Sequence, residues 1–271
     1  MIEMSESNFR TIEISEPRFE AEGLRWVTVK SRALGHRADL TLFVPGQAAS
    51  AGNLPVVILL HGVYGSHWAW ALKGGAHRTA ARMIPPMVLA MPSDGLWGDG
   101  SGYLPHRNAD FERWIVEEVP AAVRKAVPGV DEASPLFING LSMGGFGALR
   151  LAAKYPQKFR GAGGHSSITL FEQFKLFVEE PLESYGCPKE DQSVLECMLR
   201  NREHLPALRF DCGSEDLLIE YNRELHRELK RAGITHIYEE FPGGHSWPYW
   251  ETHLEDMLKF FAQQKSLCPS S

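Results

Sequence analysis

The sequence has few cysteines, no long apolar run and no excess of positive charge. Its 28 lysines and arginines stand against 34 aspartates and glutamates, which gives a net charge of −6. Because no basic surplus is present to hold phosphates, a dedicated nucleic-acid-binding protein is disfavoured. No apolar run approaches the roughly 18 residues that a transmembrane helix requires. We therefore expect a globular protein with neither nucleic acid nor a membrane among its partners.

The four cysteines are too sparse and too irregularly placed for a metal site or a dense disulfide framework. They are Cys187, Cys197, Cys212 and Cys268. The polar, acidic start at residues 1–22 also lacks the basic segment and apolar middle of a signal peptide. These features predict a cytoplasmic protein with reduced thiols, while a Cys187–Cys197 bridge in an exported homologue stays open.

Strand-like and helix-like segments alternate along the 271 residues. Short apolar runs predict buried parallel strands at 56–60, 87–91 and 136–138. Residues 161–165 and 208–212 are further strand candidates, and 236–241 is predicted to be the last strand. Apolar spacing predicts helices at 110–127, with a kink or break at Pro120, and at 220–232 and 249–263. Residues 24–31 and 38–44 read as an antiparallel hairpin. The pattern predicts an α/β fold with a mostly parallel central sheet, an antiparallel N-terminal hairpin, and helices on both faces.

The domain organisation follows from the same segments. Residues 1–23 are predicted to be a lead-in, and residues 24–265 a single domain. Within it, residues 168–206 are mostly helical in pattern and contain no predicted strand. This stretch forms either a small cap or the crossover helices between two strands, and the crossover is favoured.

The pentapeptide Gly140-Leu141-Ser142-Met143-Gly144 is the most informative motif. It follows an apolar strand-like run and precedes a helix-like stretch, which is the context of a G-x-S-x-G nucleophile elbow. This turn strains the serine backbone and raises its hydroxyl above the sheet edge. Bulky residues at 140 and 144 would clash with the neighbouring strand and helix, so glycine is required there. The motif predicts that Ser142 is a nucleophile.

A serine nucleophile needs a base, and the base needs an orienting acid. Asp216 and His245 follow Ser142 in the chain order of α/β-hydrolases, and each lies in a loop after a predicted strand. We expect His245 to accept the Ser142 proton and Asp216 to hold the imidazole. Glu215 and Asp211 compete for the role of the acid, and Asp216 is favoured over both.

An oxyanion hole requires two backbone donors. Met143 N–H, at the start of a helix, is one predicted donor, because the helix dipole favours negative charge there. Val63 N–H, in the loop His61-Gly62-Val63-Tyr64-Gly65, is the other. His61 has two interpretations, a structural hydrogen bond to the loop or contact with the substrate, and the structural one is favoured.

Four segments resemble the esterase D branch of the α/β-hydrolases. They are His61-Gly-Val-Tyr-Gly65, Gly140-Leu-Ser-Met-Gly-Gly-Phe-Gly-Ala-Leu149, Asp211-Cys-Gly-Ser-Glu-Asp-Leu217 and Gly244-His-Ser-Trp247. That branch includes tributyrin, feruloyl and acetylxylan esterases, S-formylglutathione hydrolase and the antigen 85 mycolyltransferases. The resemblance implies a triad of Ser142, Asp216 and His245, oxyanion donors at Val63 and Met143, and no metal or organic cofactor.

Aromatic residues cluster near the predicted loops and suit an acyl chain or a phenolic ring. They are Trp68, Trp70, Trp97, Tyr103, Trp247 and Trp250, and about half are expected in the core. The substrate-binding candidates are His61, Tyr64, Trp97, His165 and Trp247. The loop carrying Trp97 is predicted to be a flexible rim of the pocket.

These features predict a serine carboxylesterase acting on small-molecule short-chain or aromatic esters through an acyl-enzyme on Ser142. An acyltransferase with the same triad and an S-formylglutathione hydrolase-like thioesterase are alternatives. A non-catalytic binding protein is less favoured, because a binding module has no use for the elbow. The sequence leaves the oligomeric state open, a homo-oligomer included.

Overall fold

A nine-stranded sheet occupies the centre of the part of the chain that the computed structural model describes, residues 9–46, 48 and 52–264. The strands are β1 (Phe9–Ile14), β2 (Leu24–Ser31), β3 (Arg37–Phe43), β4 (Val56–Leu60), β5 (Val88–Pro92), β6 (Leu136–Gly140), β7 (Gly161–His165), β8 (Ala207–Gly213) and β9 (Ile237–Phe241). Residues 1–8 of the predicted lead-in and Lys265 of the predicted domain lie outside the described residues.

The sheet changes from antiparallel to parallel along its width. Its order is β1-β2-β3-β5-β4-β6-β7-β8-β9. In this order, neighbouring strands are antiparallel from β1 through β2 and β3 to β5. They are parallel from β5 through β4, β6, β7 and β8 to β9. The fold is therefore the predicted α/β-hydrolase fold, in which the carboxyl ends of the parallel strands share one edge.

Helices cover both faces of the sheet. They are α1 (Ala69–Leu72), α2 (Ala76–Ala81), α3 (Phe111–Arg113), α4 (Val119–Ala126), α5 (Met143–Lys154), α6 (Val194–Arg200), α7 (Ile219–Arg231) and α8 (Trp247–Gln264). Side chains of α1, α2 and α8 build one apolar core, and those of α3 to α7 build the other. Alternate residues of β4 enter the two cores, because successive strand side chains point to opposite faces. In the described part of the chain, no helix has both the length and the apolar character to cross a membrane.

The sheet begins earlier than Leu24, because β1 lies inside the predicted lead-in. Residues of β1 are mostly exposed, with Phe9 the buried one, so the segment lacks the apolar pattern that marks an interior strand. At Pro120 the predicted irregularity takes a definite form. A π-helical turn, Trp114–Glu118, joins α3 to α4 and places the proline within the first turn of α4, where a missing N–H costs little.

Residues 168–206 connect β7 to β8 and contain no strand. They form three short 3₁₀ turns, Phe171–Leu176, Leu182–Tyr185 and Lys189–Asp191, followed by α6. Whether this segment is a small cap or the crossover between the two strands stays a prediction.

The cysteines of this part of the chain are unpaired. Cys187, Cys197 and Cys212 are free thiols, and Cys268 lies outside the described residues. Burial raises the pKa of the Cys187 thiol to about 12, so this thiol stays protonated at neutral pH.

Candidate active site

Ser142 lies in a sharp turn between β6 and α5. Its backbone adopts φ 54° and ψ −117°, which L-amino acids rarely occupy. The turn is held on both sides, since the Ser142 N–H donates to the carbonyl of His165 at 2.9 Å and its carbonyl accepts from Phe146 N–H at 3.1 Å. This is the geometry expected of a nucleophile elbow.

The two glycines of the motif are required by close backbone contacts. A Cβ at Gly140 would lie 2.2 Å from the Gly144 backbone, and a Cβ at Gly144 would lie 2.2 Å from the carbonyl oxygen of Leu60. No real side chain tolerates such distances, so the strand, the turn and α5 meet only because both positions lack a side chain.

The structure brings Ser142, His245 and Asp216 into one hydrogen-bonded chain. His245 Nε2 lies 3.0 Å from Ser142 Oγ. On the other side of the ring, His245 Nδ1 lies 2.9 Å from Asp216 Oδ2 and 3.1 Å from Oδ1. Since a carboxylate only accepts, Nδ1–H is the donor and Nε2 faces the serine hydroxyl as an acceptor.

Backbone hydrogen bonds tie together the two loops that carry the acid and the histidine. Ser214 N–H donates to the carbonyl of Phe241 at 2.8 Å, and Glu215 N–H donates to that of Gly243 at 2.9 Å. These loops follow β8 and β9, which are neighbours in the sheet. The parallel pairing of the two strands therefore sets the distance between Asp216 and His245.

Asp216 is buried, with 2% of its surface exposed, yet it remains ionised. Burial alone would raise its pKa, but hydrogen bonds from His245, the Leu218 N–H and the Ser166 hydroxyl outweigh this and lower the pKa. The Leu218 N–H reaches Asp216 Oδ1 at 2.8 Å. A charged acid at this position would stabilise a positively charged imidazole ring.

The two competing acids lie elsewhere. Glu215 is exposed, and among the described residues the carboxylate that is hydrogen-bonded to His245 is that of Asp216. Asp211 is fully buried and accepts hydrogen bonds from His165 Nδ1 at 2.9 Å and from the Tyr249 hydroxyl at 2.9 Å. Geometry thus separates the three candidates, and Asp216 is the one that contacts His245.

The two predicted oxyanion donors flank the serine. Met143 is the first residue of α5, and Val63 follows β4 in a loop that lines the same cavity as Ser142. Within the described residues, neither backbone N–H has a hydrogen-bond acceptor. A Cβ at Gly62 would lie 2.8 Å from Leu141 Cδ1, so close contact with the elbow explains this glycine. Both N–H groups are free to bind an oxygen of the substrate.

His61 has a structural environment, in keeping with its favoured interpretation. It is 2% exposed and does not line the cavity. Its Nδ1 donates to the carbonyl of Gly62 at 2.7 Å, and its Nε2 accepts from Asp94 N–H at 3.0 Å. His61 therefore fixes the loop that carries Val63.

Residues 94–102 form a braced loop rather than the predicted flexible rim. Asp94 accepts hydrogen bonds from the N–H groups of Leu96 and Ser101, at 2.9 and 2.6 Å. The carbonyl of Asp99 accepts from Tyr64 N–H at 2.8 Å. A Cβ at Gly100 would lie 2.4 Å from Met143 Sδ, so this loop packs directly against the oxyanion region.

A cavity of about 490 Å³ opens at Ser142 and His245. Five aromatic side chains line it, namely Tyr64, Trp68, Phe177, Trp247 and Trp250, together with aliphatic residues such as Val63 and Leu141. A larger depression of about 740 Å³ lies near Glu22 and His77, and neither Ser142, Asp216 nor His245 lines it.

His245 is held between two aromatic rings. Phe177 stacks on the imidazole with ring centroids 5.3 Å apart, and Trp250 meets it edge-on at 5.0 Å. The Trp250 indole also donates to the Ser166 hydroxyl at 3.3 Å. The orientation of the histidine is thus set by packing as well as by the carboxylate.

Several predicted pocket residues lie outside the cavity. Trp97 packs edge-on against His106 and Tyr185, with centroids 4.5 and 4.9 Å away. His165 is fully buried beneath the elbow, bound to Asp211. Tyr64 and Trp247 do line it.

The other aromatic candidates divide as expected between core and pocket. Trp70 and Tyr103 are buried and hydrogen-bonded to the carbonyls of Leu60 and His61. Phe177 and Lys73, which also line the cavity, were not predicted. No sequence motif marks them, since each lies in a segment far from the triad loops.

Comparisons with known proteins point to one family. A family model described as "Putative esterase" matches residues 31–261. An acetyl esterase of Caldicellulosiruptor saccharolyticus is 27% identical and aligns over 78% of this chain and 84% of its own. An esterase of Mycobacterium tuberculosis is 28% identical over 80% of this chain, which spans 54% of that protein.

Solved structures share the fold. A fluorophosphonate-binding serine hydrolase of Staphylococcus aureus superposes with a TM-score of 0.77 at 21% identity, covering 88% of this chain and 97% of its own. Among the residues that the structure describes, no group of three or more His, Cys, Asp or Glu side chains could hold a metal ion.

Proposed function

Because the chain belongs to the "Putative esterase" family, we propose that Ser142, His245 and Asp216 are its catalytic triad. The chain is a carboxylic ester hydrolase, as its acetyl esterase relative indicates. The observation that carries the assignment of the triad is the continuous hydrogen-bonded chain from Ser142 Oγ through His245 to Asp216.

In the proposed first step, Ser142 Oγ attacks the ester carbonyl carbon while His245 Nε2 takes the hydroxyl proton. The carbonyl oxygen becomes an oxyanion and binds the N–H groups of Val63 and Met143. Each such donor contributes about 2.7–4 kcal/mol to the transition state. When the intermediate collapses, the C–O bond to the alcohol breaks and His245 returns the proton to the departing oxygen.

The second step repeats the first with water. His245 Nε2 takes a proton from water, whose oxygen attacks the acyl carbon bound to Ser142. Collapse breaks the bond to Ser142 Oγ, which regains its proton from His245, and the acid is released. Asp216 remains ionised throughout and stabilises the imidazolium in both steps.

The substrate range follows from the cavity. A volume of about 490 Å³ with aromatic walls holds a short acyl chain or one aromatic ring together with its ester. The acetyl esterase relative supports a small acyl group. We therefore propose short-chain or aromatic esters as substrates.

The other predictions stay open. The triad would serve acyl transfer to an alcohol equally well, and no observation on the described residues favours transfer over hydrolysis. A cytoplasmic location and a homo-oligomeric state remain predictions.

The test is hydrolysis of p-nitrophenyl esters, acetate through decanoate, with methyl ferulate alongside. We expect Ser142→Ala to lower kcat by at least about 10³-fold while the melting temperature stays nearly unchanged. The control is Ser184→Ala, an exposed serine in a 3₁₀ turn, which should keep full activity. Turnover retained by Ser142→Ala would remove Ser142 from the mechanism. Absence of activity in folded wild-type protein would favour a non-catalytic binding role. Covalent labelling by a fluorophosphonate would then exclude that role, and absence of labelling would support it.

A further inference from the structure

One charged side chain stands among the aromatic and small residues of the active-site cavity. Lys73 follows α1, is exposed and lines the cavity together with Ser142. Its ammonium lies 5.6 Å from the centre of the Trp247 ring, a cation–π contact that holds the charge against the cavity wall. The lysine is therefore part of the surface that a substrate meets.

The cavity provides no negative charge to neutralise Lys73. None of its lining residues is an aspartate or glutamate. Among the described residues, Lys73 has no ion-pair partner within 4.0 Å. Glu251 lies beside the same turn, with Oε1 3.8 Å from the position of a Cβ on Gly75, yet it makes no ion pair with the lysine. Lys73 is thus the one lysine or arginine among the lining residues, in a protein of net charge −6.

We propose that the esterase takes esters that carry a carboxylate, and that Lys73 binds this group. This inference rests on the proposed function, because it concerns the same cavity. The lysine ammonium offers three donors to a carboxylate, while the aromatic walls contact the apolar part of the ester. Without this lysine, no lysine or arginine would line the cavity of a protein whose net charge is −6.

The carboxylate can belong to the acyl part or to the alcohol part of the ester, and two pairs of substrates separate these cases. Mono-p-nitrophenyl terephthalate against p-nitrophenyl p-toluate tests the acyl side. The pair p-acetoxybenzoate and p-acetoxybenzamide tests the alcohol side. For each pair the measured quantity is the ratio of kcat/KM for the anionic ester to that for the neutral ester. Comparing this ratio between variants cancels the intrinsic reactivity of the esters.

We expect Lys73→Gln to lower the ratio about two- to fivefold for at least one pair, the range for one exposed charge pair. The change should appear in KM, since a distant charge contact binds substrate and transition state alike. Lys73→Arg should keep the preference, and Lys73→Glu should reduce it further. Added salt should weaken the preference of the wild-type enzyme. The matched control is Lys125→Gln, which removes an exposed charge of α4 outside the cavity.

An unchanged ratio in Lys73→Gln for both pairs would overturn the proposal. An equal loss of activity toward anionic and neutral esters would also overturn it, since that result indicates a structural role. Failure of the wild-type enzyme on all four esters is a different outcome, because it counts against the proposed esterase function itself.

Discussion

The substitution Asp216→Asn reverses the hydrogen bond that orients His245. Asp216 Oδ1 accepts from Leu218 N–H at 2.8 Å, so the same donor would hold the amide oxygen of the asparagine. The amide nitrogen would then take the place of Oδ2, 2.9 Å from His245 Nδ1. Because this nitrogen only donates, Nδ1 must accept, and the ring proton moves to Nε2. His245 would then donate to Ser142 Oγ and could no longer take its proton.

The magnitude follows from this change of tautomer. Imposing the wrong tautomer on a Ser-His-Asp triad lowers kcat by about 10⁴-fold. His245 is 17% exposed, so water can supply part of the lost proton transfer. We therefore expect a loss of about 10³- to 10⁴-fold, which is about 4 to 5.5 kcal/mol at 1.36 kcal/mol per tenfold change.

The assay is steady-state hydrolysis of p-nitrophenyl acetate at neutral pH, with kcat and KM measured separately. Glu215→Gln is the matched control, because that side chain is exposed and one position away. Its kcat should stay within about twofold of wild type, as for most surface substitutions. Asp211→Asn is the second control. Its main effect should be a lower melting temperature, with a much smaller loss of kcat than in Asp216→Asn, because it disturbs the buried hydrogen bonds to His165 and Tyr249.

Two results would refute this reasoning. Retention of more than about a tenth of kcat by folded Asp216→Asn would show that the carboxylate does not set the tautomer. A larger kcat loss in Glu215→Gln or in folded Asp211→Asn would mean that another acid serves His245.

Three further predictions concern the elbow, the cavity wall and a buried ion pair. Gly144→Ala places a Cβ 2.2 Å from the backbone of β4, so we expect little or no folded protein in a thermal unfolding assay, and a normal melting temperature would contradict the contact. Phe177→Leu removes the ring stacked on His245. It should lower kcat/KM about three- to tenfold with little change in stability, as 0.5–1.5 kcal/mol for an aromatic contact allows, and unchanged kinetics would show that the stacking is incidental. Burial raises the pKa of Glu112, but Arg150 and further hydrogen-bond donors outweigh it and hold that pKa below its usual 4.5. A lowered pKa stabilises the fold above the pKa of the unfolded state, and this contribution disappears as the pH falls through the folded-state pKa. Glu112→Gln should therefore lower the free energy of unfolding by about 3 to 5 kcal/mol near pH 7 and by clearly less at pH values well below 4.5, as measured by urea unfolding at both pH values. An equal loss at both pH values would refute the charge argument.

The meeting of Ser142, Asp216 and His245 could be predicted because each residue lies in a loop after a predicted strand and one topological rule brings these loops together. Ser142, Asp216 and His245 follow β6, β8 and β9. Parallel strands bring their carboxyl ends to one edge of the sheet, so chain order and strand assignment were enough to predict that these loops meet. The bounds of β2 and β4 were predicted correctly for a related reason, since these interior strands have an alternating and a continuous apolar signal.

What the sequence could not show was the direction of individual side chains. Trp97 lies in a loop near the site and His165 is the last residue of β7, but both side chains point into packed interior, because a large ring fills a core as readily as a pocket. Phe177 reaches His245 from the connection between β7 and β8, whose mostly helical pattern does not show that one of its side chains reaches the site. Strand β1 was missed because an edge strand buries little and has a weak pattern.

The separation of Ser142 and His245 by 103 positions has a consequence for how the protein folds. The histidine follows β9, which pairs at the far edge of the sheet with β8 as its neighbour. Bringing two residues so far apart in the chain into contact costs chain entropy before the contacts between them form, and folding that depends on such non-local contacts is slow. On the proposed mechanism, turnover requires that β9 has paired and placed His245 beside Ser142, whereas circular dichroism detects helices that form locally. A refolding chain should regain its helical signal before its first turnover.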